Sequence, residues 1–118
     1  MKKNIFSLDR SSGAYSAMDD VSKYLNDEIL ALLRELPSDP SRLAEFGALL
    51  FALVCLSEQT SGYIRPSFDV PKVRDKIFEI NRTHVAEFSD DFSSAELAKR
   101  VQFFEDLFRR ANTASSER

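Results

Sequence analysis

The side chains best suited to chemistry in this chain are one histidine, one cysteine and a few acidic doublets. His84 has Glu87 one helical turn away, a spacing that suits a shared metal ion. A di-metal carboxylate bundle, however, needs two Glu-x-x-His elements and further glutamates, and a structural zinc site needs four Cys or His ligands. The sequence therefore predicts no metal site. We interpret His84 as a core-edge histidine bonded to a backbone carbonyl or a carboxylate.

Covalent catalysis and phosphate binding have equally little support. A serine nucleophile needs an adjacent base, and His84 is the one histidine in the chain. The three glycines are too widely separated to build a phosphate-binding loop. The doublets Asp19–Asp20 and Asp90–Asp91 suit helix starts and loops, where carboxylates complement the helix dipole. We therefore expect a non-enzymatic protein without a cofactor.

The most apolar element is the run Phe46–Leu56, eleven residues without a polar side chain. A helix that is apolar on every side must be covered by protein or lipid, and this run is shorter than the ~20 residues that span a bilayer. We interpret it as the central helix of a soluble domain, with no membrane contact. Within it, Cys55 is predicted to be a buried, unreactive thiol, and Gly47 indicates close backbone approach by another helix.

Capping and helix-breaking residues on either side of this run predict the limits of the first two helices. Ser16 is the candidate N-cap of the first helix, which Pro37 ends. The second helix is expected over about 40–61, with Asp39 as N-cap and Gly62 as the left-handed residue that stops it.

Two further helices follow a connector over residues 63–69. Asp69 is the expected N-cap of the third helix. Ser93 and Glu96 form a capping box for the fourth, and Phe92 with Leu97 fits a hydrophobic staple. The apolar stripes expected to face the core are Met18, Val21, Leu25, Ile29, Leu32 and Leu36; Val73, Ile77, Ile80, His84 and Phe88; and Leu97, Val101, Phe104, Phe108 and Ala111.

These elements predict an all-α fold, a four-helix bundle-like domain with a buried central second helix. Residues 16–111 form the helical domain, 1–15 an irregular N-terminal segment and 112–118 a frayed, disordered tail. Since a bundle normally leaves one face of each helix in water, the second helix needs extra cover. We expect the N-terminal segment, the connector over residues 63–69 or a second chain to supply it.

Charge narrows the classes of partner. The net charge is −3, and residues 1–59 hold nine acids against six bases, while the rest is balanced. A protein that binds nucleic acid through phosphates needs a basic face. No part of this sequence has a basic excess, so we do not expect the chain to bind nucleic acid. A single cysteine and no secretory signal favour a reducing cytoplasm of bacterial type.

The function predicted by this combination is a small protein-binding module: an inhibitor, immunity factor, antitoxin or adaptor. Its partner is expected to be another protein, of basic character, drawn to an acidic helical surface. The alternatives are a self-assembling structural subunit such as a homodimer, or a small-ligand binding protein with a pocket near His84 and Cys55. The candidate partner-binding residues are Asp20, Asp27, Glu28, Phe103 and Phe104.

Overall fold

Four α-helices make up most of the part of the chain that the computed structural model describes, which is residues 12–87, 90 and 93–116. They are α1 (Ser12–Glu35), α2 (Leu43–Gln59), α3 (Val70–Glu87) and α4 (Ser94–Ser116), with a short 3₁₀ turn (Pro40–Arg42) before α2. The arrangement confirms the predicted all-α, bundle-like fold.

Helices α1 and α2 are antiparallel neighbours. The hydroxyl of Tyr63, which follows α2, donates to Asp19 Oδ1 near the start of α1 at 2.8 Å. At the other end, Arg42 before α2 pairs with Glu35, the last residue of α1, at 2.7 Å. The short loop between the two helices imposes this orientation.

Helix α2 lies between α1 and α4, so it is central as predicted. Helix α4 runs beside α2 in the same direction, because Phe103 lies against Gly47 early in α2 and Arg110 pairs with Glu58 near its end. Helix α3 packs against α4 and against the 3₁₀ turn.

The predicted core stripes face the interior. Val21, Leu97 and Val101 are half-buried members of these stripes, and Phe88 lies outside the described residues. The remaining members are buried, together with the interior side of α2 and Leu107. Fully buried large side chains from all four helices and from the segments that link them include Ile29, Leu36, Phe46, Leu50, Leu53, Ile64, Ile77 and Phe108.

The outer ends of α1 and α4 extend beyond the predicted helices. Ser16 lies inside α1 and is not its N-cap, because the helix begins at Ser12. Tyr15 explains part of this extension, since its ring packs 5.0 Å from that of Tyr63. Helix α4 continues to Ser116 rather than fraying after residue 111, and Ala114 is buried in its penultimate turn. The predictions for residues 1–11, 117 and 118 fall outside the described residues.

The ends of α2 differ in detail from the prediction. The first residues after Asp39 form the 3₁₀ turn, and the Asp39 carboxylate accepts the Ser41 hydroxyl at 2.6 Å instead of capping a backbone N–H. At the other end Ser61, with φ 52°, takes the first left-handed position and Gly62, with φ 84°, the second. The Gly62 N–H then donates to Ser57 O at 2.8 Å, which is the long hydrogen bond of a Schellman motif.

The predicted caps of α3 and α4 are confirmed. The Lys72 N–H donates to Asp69 Oδ1 at 3.2 Å. In the capping box, the Glu96 N–H donates to Ser93 Oγ at 3.1 Å and the Ser93 N–H donates to Glu96 Oε1 at 3.4 Å. Phe92, half of the predicted staple, is outside the described residues.

A buried asparagine fastens the connector over residues 63–69 to α1. Asn26 Nδ2 donates to Ser22 O at 2.9 Å and to Arg65 O at 3.0 Å. Its Oδ1 accepts the Ser67 N–H at 2.8 Å. Because Asn26 is nearly inaccessible to water, these bonds satisfy polar groups that would otherwise be buried without partners. The connector therefore packs on α1.

One segment among the described residues, Pro40–Gln59, is long and apolar enough to cross a membrane by length and composition alone. The core helix of a soluble protein passes the same criterion. In the structure 39% of this apolar window is buried, including Leu50 and Leu53.

Candidate functional site: an apolar groove between α2 and α4

An open groove runs along the outer side of α2 where α4 lies beside it. Its volume is about 700 Å³, larger than the other surface depression described below. Helix α2 and the preceding turn form one wall, α4 forms the other, and α3 closes one end. The lining residues are Ser41, Ala44, Ala48, Phe51, His84, Arg100, Phe103 and Phe104.

The groove shows that α2 is not enclosed on every side. Ala44, Ala48 and Phe51 are exposed, and the Phe51 side chain keeps 46% of its accessible surface. These positions recur at helical spacing, on the side of α2 opposite the core-facing Leu53. Among the described residues this side of α2 is left without cover, so the cover expected from the N-terminal segment or a second chain stays a prediction. The connector over residues 63–69 does not supply cover here, because none of its residues lines the groove.

Two phenylalanines of α4 shape the second wall. Phe104 is buried, with 3% of its surface accessible, whereas Phe103 stands at the rim with 44% accessible. Their rings meet at 5.5 Å in an edge-to-face arrangement. A Cβ added at Gly47 would lie 2.9 Å from Phe103 Cε2. The glycine is thus explained by close approach, as predicted, but the approaching group is an aromatic ring and not a backbone.

A polar pair closes the α3 end of the groove. An Arg100 Nη2 nitrogen lies 3.2 Å from His84 Nδ1. A guanidinium only donates hydrogen bonds, so Nδ1 must accept this one and the ring proton must lie on Nε2. His84 is buried at the core edge as predicted, but this partner is a guanidinium rather than a carbonyl or carboxylate. Burial lowers the pKa of Arg100 from its ordinary value.

The opposite end of α2 is held by Arg110. Its guanidinium makes two hydrogen bonds to the Glu58 carboxylate, at 2.6 and 2.9 Å, and lowers the pKa of Glu58. The same group lies 6.0 Å from the centre of the Phe51 ring and 3.9 Å from Cys55 Sγ. Cys55 is half-buried, so the prediction of a buried thiol is wrong. Arg110 thereby fixes the rim of the groove beside Phe51.

The five predicted partner-binding residues do not form one surface. The groove contains Phe103 and Phe104. The three carboxylates Asp20, Asp27 and Glu28 are exposed on α1, outside the groove lining. Asp27 is paired with Lys23 at 2.5 Å, which compensates part of the acidic face.

The groove residues that sequence reasoning missed include Ala44, Ala48, Phe51 and Arg100. The first three lie in or beside an uninterrupted apolar run, where composition gives no indication of which side is uncovered. Their spacing of four and three residues is a signal, since it places small side chains beside one aromatic on a single helical face. Arg100 lies one position from the stripe residue Val101, which predicts partial burial.

Metal chemistry has no evident site in the described part of the chain, where no group of three His, Cys, Asp or Glu side chains is placed to hold an ion. Glu87, one turn from His84, is exposed. Another depression, which lies between α3 and α4 and is lined by Arg74, Glu105 and Arg109 among others, carries charges of both signs.

Comparison with known proteins gives no match to a protein-family model, a curated protein or a solved structure. The groove must therefore be interpreted from its own geometry.

Proposed function

We propose that this chain is a small, non-enzymatic protein-binding module that holds a partner in the groove between α2 and α4. The observation that carries the proposal is the exposure of Phe51 and Phe103 on either side of an apolar channel. Adjacent exposed aromatics of this kind mark sites where a partner buries apolar surface, and large aromatics supply much of the binding energy at such interfaces.

The shape of the groove favours a macromolecule over a small ligand. Sites for small molecules enclose most of the ligand surface, whereas this groove is open along its side. Its α2 wall runs from Ser41 to Phe51, about 15 Å at the helical rise of 1.5 Å per residue. A polypeptide segment matches an open channel of that length.

The polar groups in the groove favour binding over catalysis. His84 Nδ1 faces the Arg100 guanidinium and so accepts a hydrogen bond instead of activating a nucleophile. His84 is buried beside the core. Its replacement by glutamine should therefore leave the partner-binding activity within a few-fold, whereas an enzyme or metal site would lose its activity.

Blocking the groove tests the proposal. Ala48→Arg places a long charged side chain in the channel, and Ala86→Arg makes the same change at an exposed position of α3 outside the groove lining. Proteins that co-purify with the wild-type chain from its native host are identified by mass spectrometry, produced in pure form and titrated by calorimetry.

The expected result is direct binding to the wild-type chain and to Ala86→Arg, with a loss of more than about tenfold in affinity for Ala48→Arg. Binding that is equal for both variants would place the interface elsewhere. Catalytic turnover that disappears in His84→Gln would replace the proposal with an enzyme.

A second copy of the chain is the alternative occupant, because a symmetric pair also covers Phe51 and Phe103. This is the self-assembling subunit predicted as the runner-up. Sedimentation at micromolar concentration separates the two: a dimer that Ala48→Arg converts to monomer supports self-assembly, and a wild-type monomer excludes it at that concentration.

The acidic face of α1 is a separate proposal about association rate. Asp27 and Glu28 are exposed, so a basic partner should be attracted to them over long range. Replacing both with lysine should slow association at low salt. An unchanged association rate would remove the acidic face from the interface.

A further inference from the structure

We draw no further inference here: the strongest candidate, the open apolar groove between α2 and α4, carries nothing beyond the proposed function, because nothing in the described part of the chain shows which molecule or segment covers it.

Discussion

Replacing Asn26 with leucine should destabilise this protein far more than replacing another buried asparagine. The Asn26 amide bonds two backbone groups of the connector, Arg65 O and the Ser67 N–H, and is itself nearly inaccessible to water. Leucine has nearly the same size but provides neither a donor nor an acceptor. Both backbone groups would therefore lose this partner.

The magnitude follows from the two backbone groups. A buried polar group that loses its partner costs about 1–3 kcal/mol, so two cost about 4 kcal/mol. Burial of the more apolar leucine side chain offsets about 1 kcal/mol. The net loss in the free energy of unfolding is about 3 kcal/mol, which for a domain of this size lowers Tm by roughly 12 °C.

Asn81 provides the matched control. It is also buried in a helix, but its Oδ1 has no hydrogen-bond partner among the described residues. Asn81→Leu removes a carbonyl oxygen that is desolvated without compensation, so it should leave stability unchanged or raise it by about 1 kcal/mol. Urea denaturation followed by far-ultraviolet circular dichroism measures both variants against the wild type. A loss below about 1 kcal/mol for Asn26→Leu, or equal losses for the two variants, would refute the role assigned to Asn26.

Three further changes have expected outcomes that the same denaturation assay measures. Gly47→Ala should alter the free energy of unfolding by less than about 1 kcal/mol, because the gain in helix propensity is offset by the cost of displacing the half-exposed Phe103 ring. A loss above about 2 kcal/mol would show that the ring cannot move. Ser93→Ala should lower the free energy of unfolding by about 1 kcal/mol through loss of the capping box. An unchanged denaturation midpoint would show that the box does not contribute to stability. The salt bridge to Arg110 lowers the pKa of Glu58, so its stabilisation is present above the ordinary pKa near 4.5 and is lost as pH falls through the lower folded-state pKa. Because Glu58 is exposed, that contribution is at most about 1 kcal/mol. Glu58→Gln should therefore make the free energy of unfolding less dependent on pH between about pH 5 and 3. The same pH dependence in the variant and the wild type would contradict this assignment.

Local signals predicted the parts of the fold that local energies decide. The Asp69 cap and the Ser93–Glu96 capping box require only residues one turn apart, and both are present. The apolar periods of α1 and α3 likewise indicated the sides that face the core, because each helix also has a clear polar side.

The outer ends of α1 and α4 depend instead on tertiary contacts. The early start of α1 depends in part on Tyr15 meeting Tyr63, a pair 48 residues apart in the sequence. The late end of α4 depends on burial of Ala114. Neither contact follows from helix propensity or capping residues, so Ser16 and residue 111 were natural but wrong limits.

The candidate site shows the same division. Phe103 and Phe104 extend the apolar arc of α4 beyond one stripe, a pattern that predicts a core position first and a partner site second; Phe104 is in fact buried and Phe103 is exposed. The opposite wall could not be chosen, because every position from Phe46 to Leu56 is apolar and any side of that helix could have been the uncovered one. Only the packing of α1 and α4 on α2 leaves Ala48 and Phe51 at the surface.

The parallel course of α2 and α4 makes the groove a product of long-range assembly. Its walls come from residues 41–51 and 100–104, so neither the α1–α2 hairpin nor the α3–α4 hairpin contains it alone. Any molecule that fills it recognises the native state and not the unfolded chain. Such an occupant therefore acts as a folding ligand: at a free concentration of one hundred times Kd it stabilises the native state by about 2.7 kcal/mol. Occupancy would thereby raise the melting temperature and protect the chain from degradation that proceeds through global unfolding.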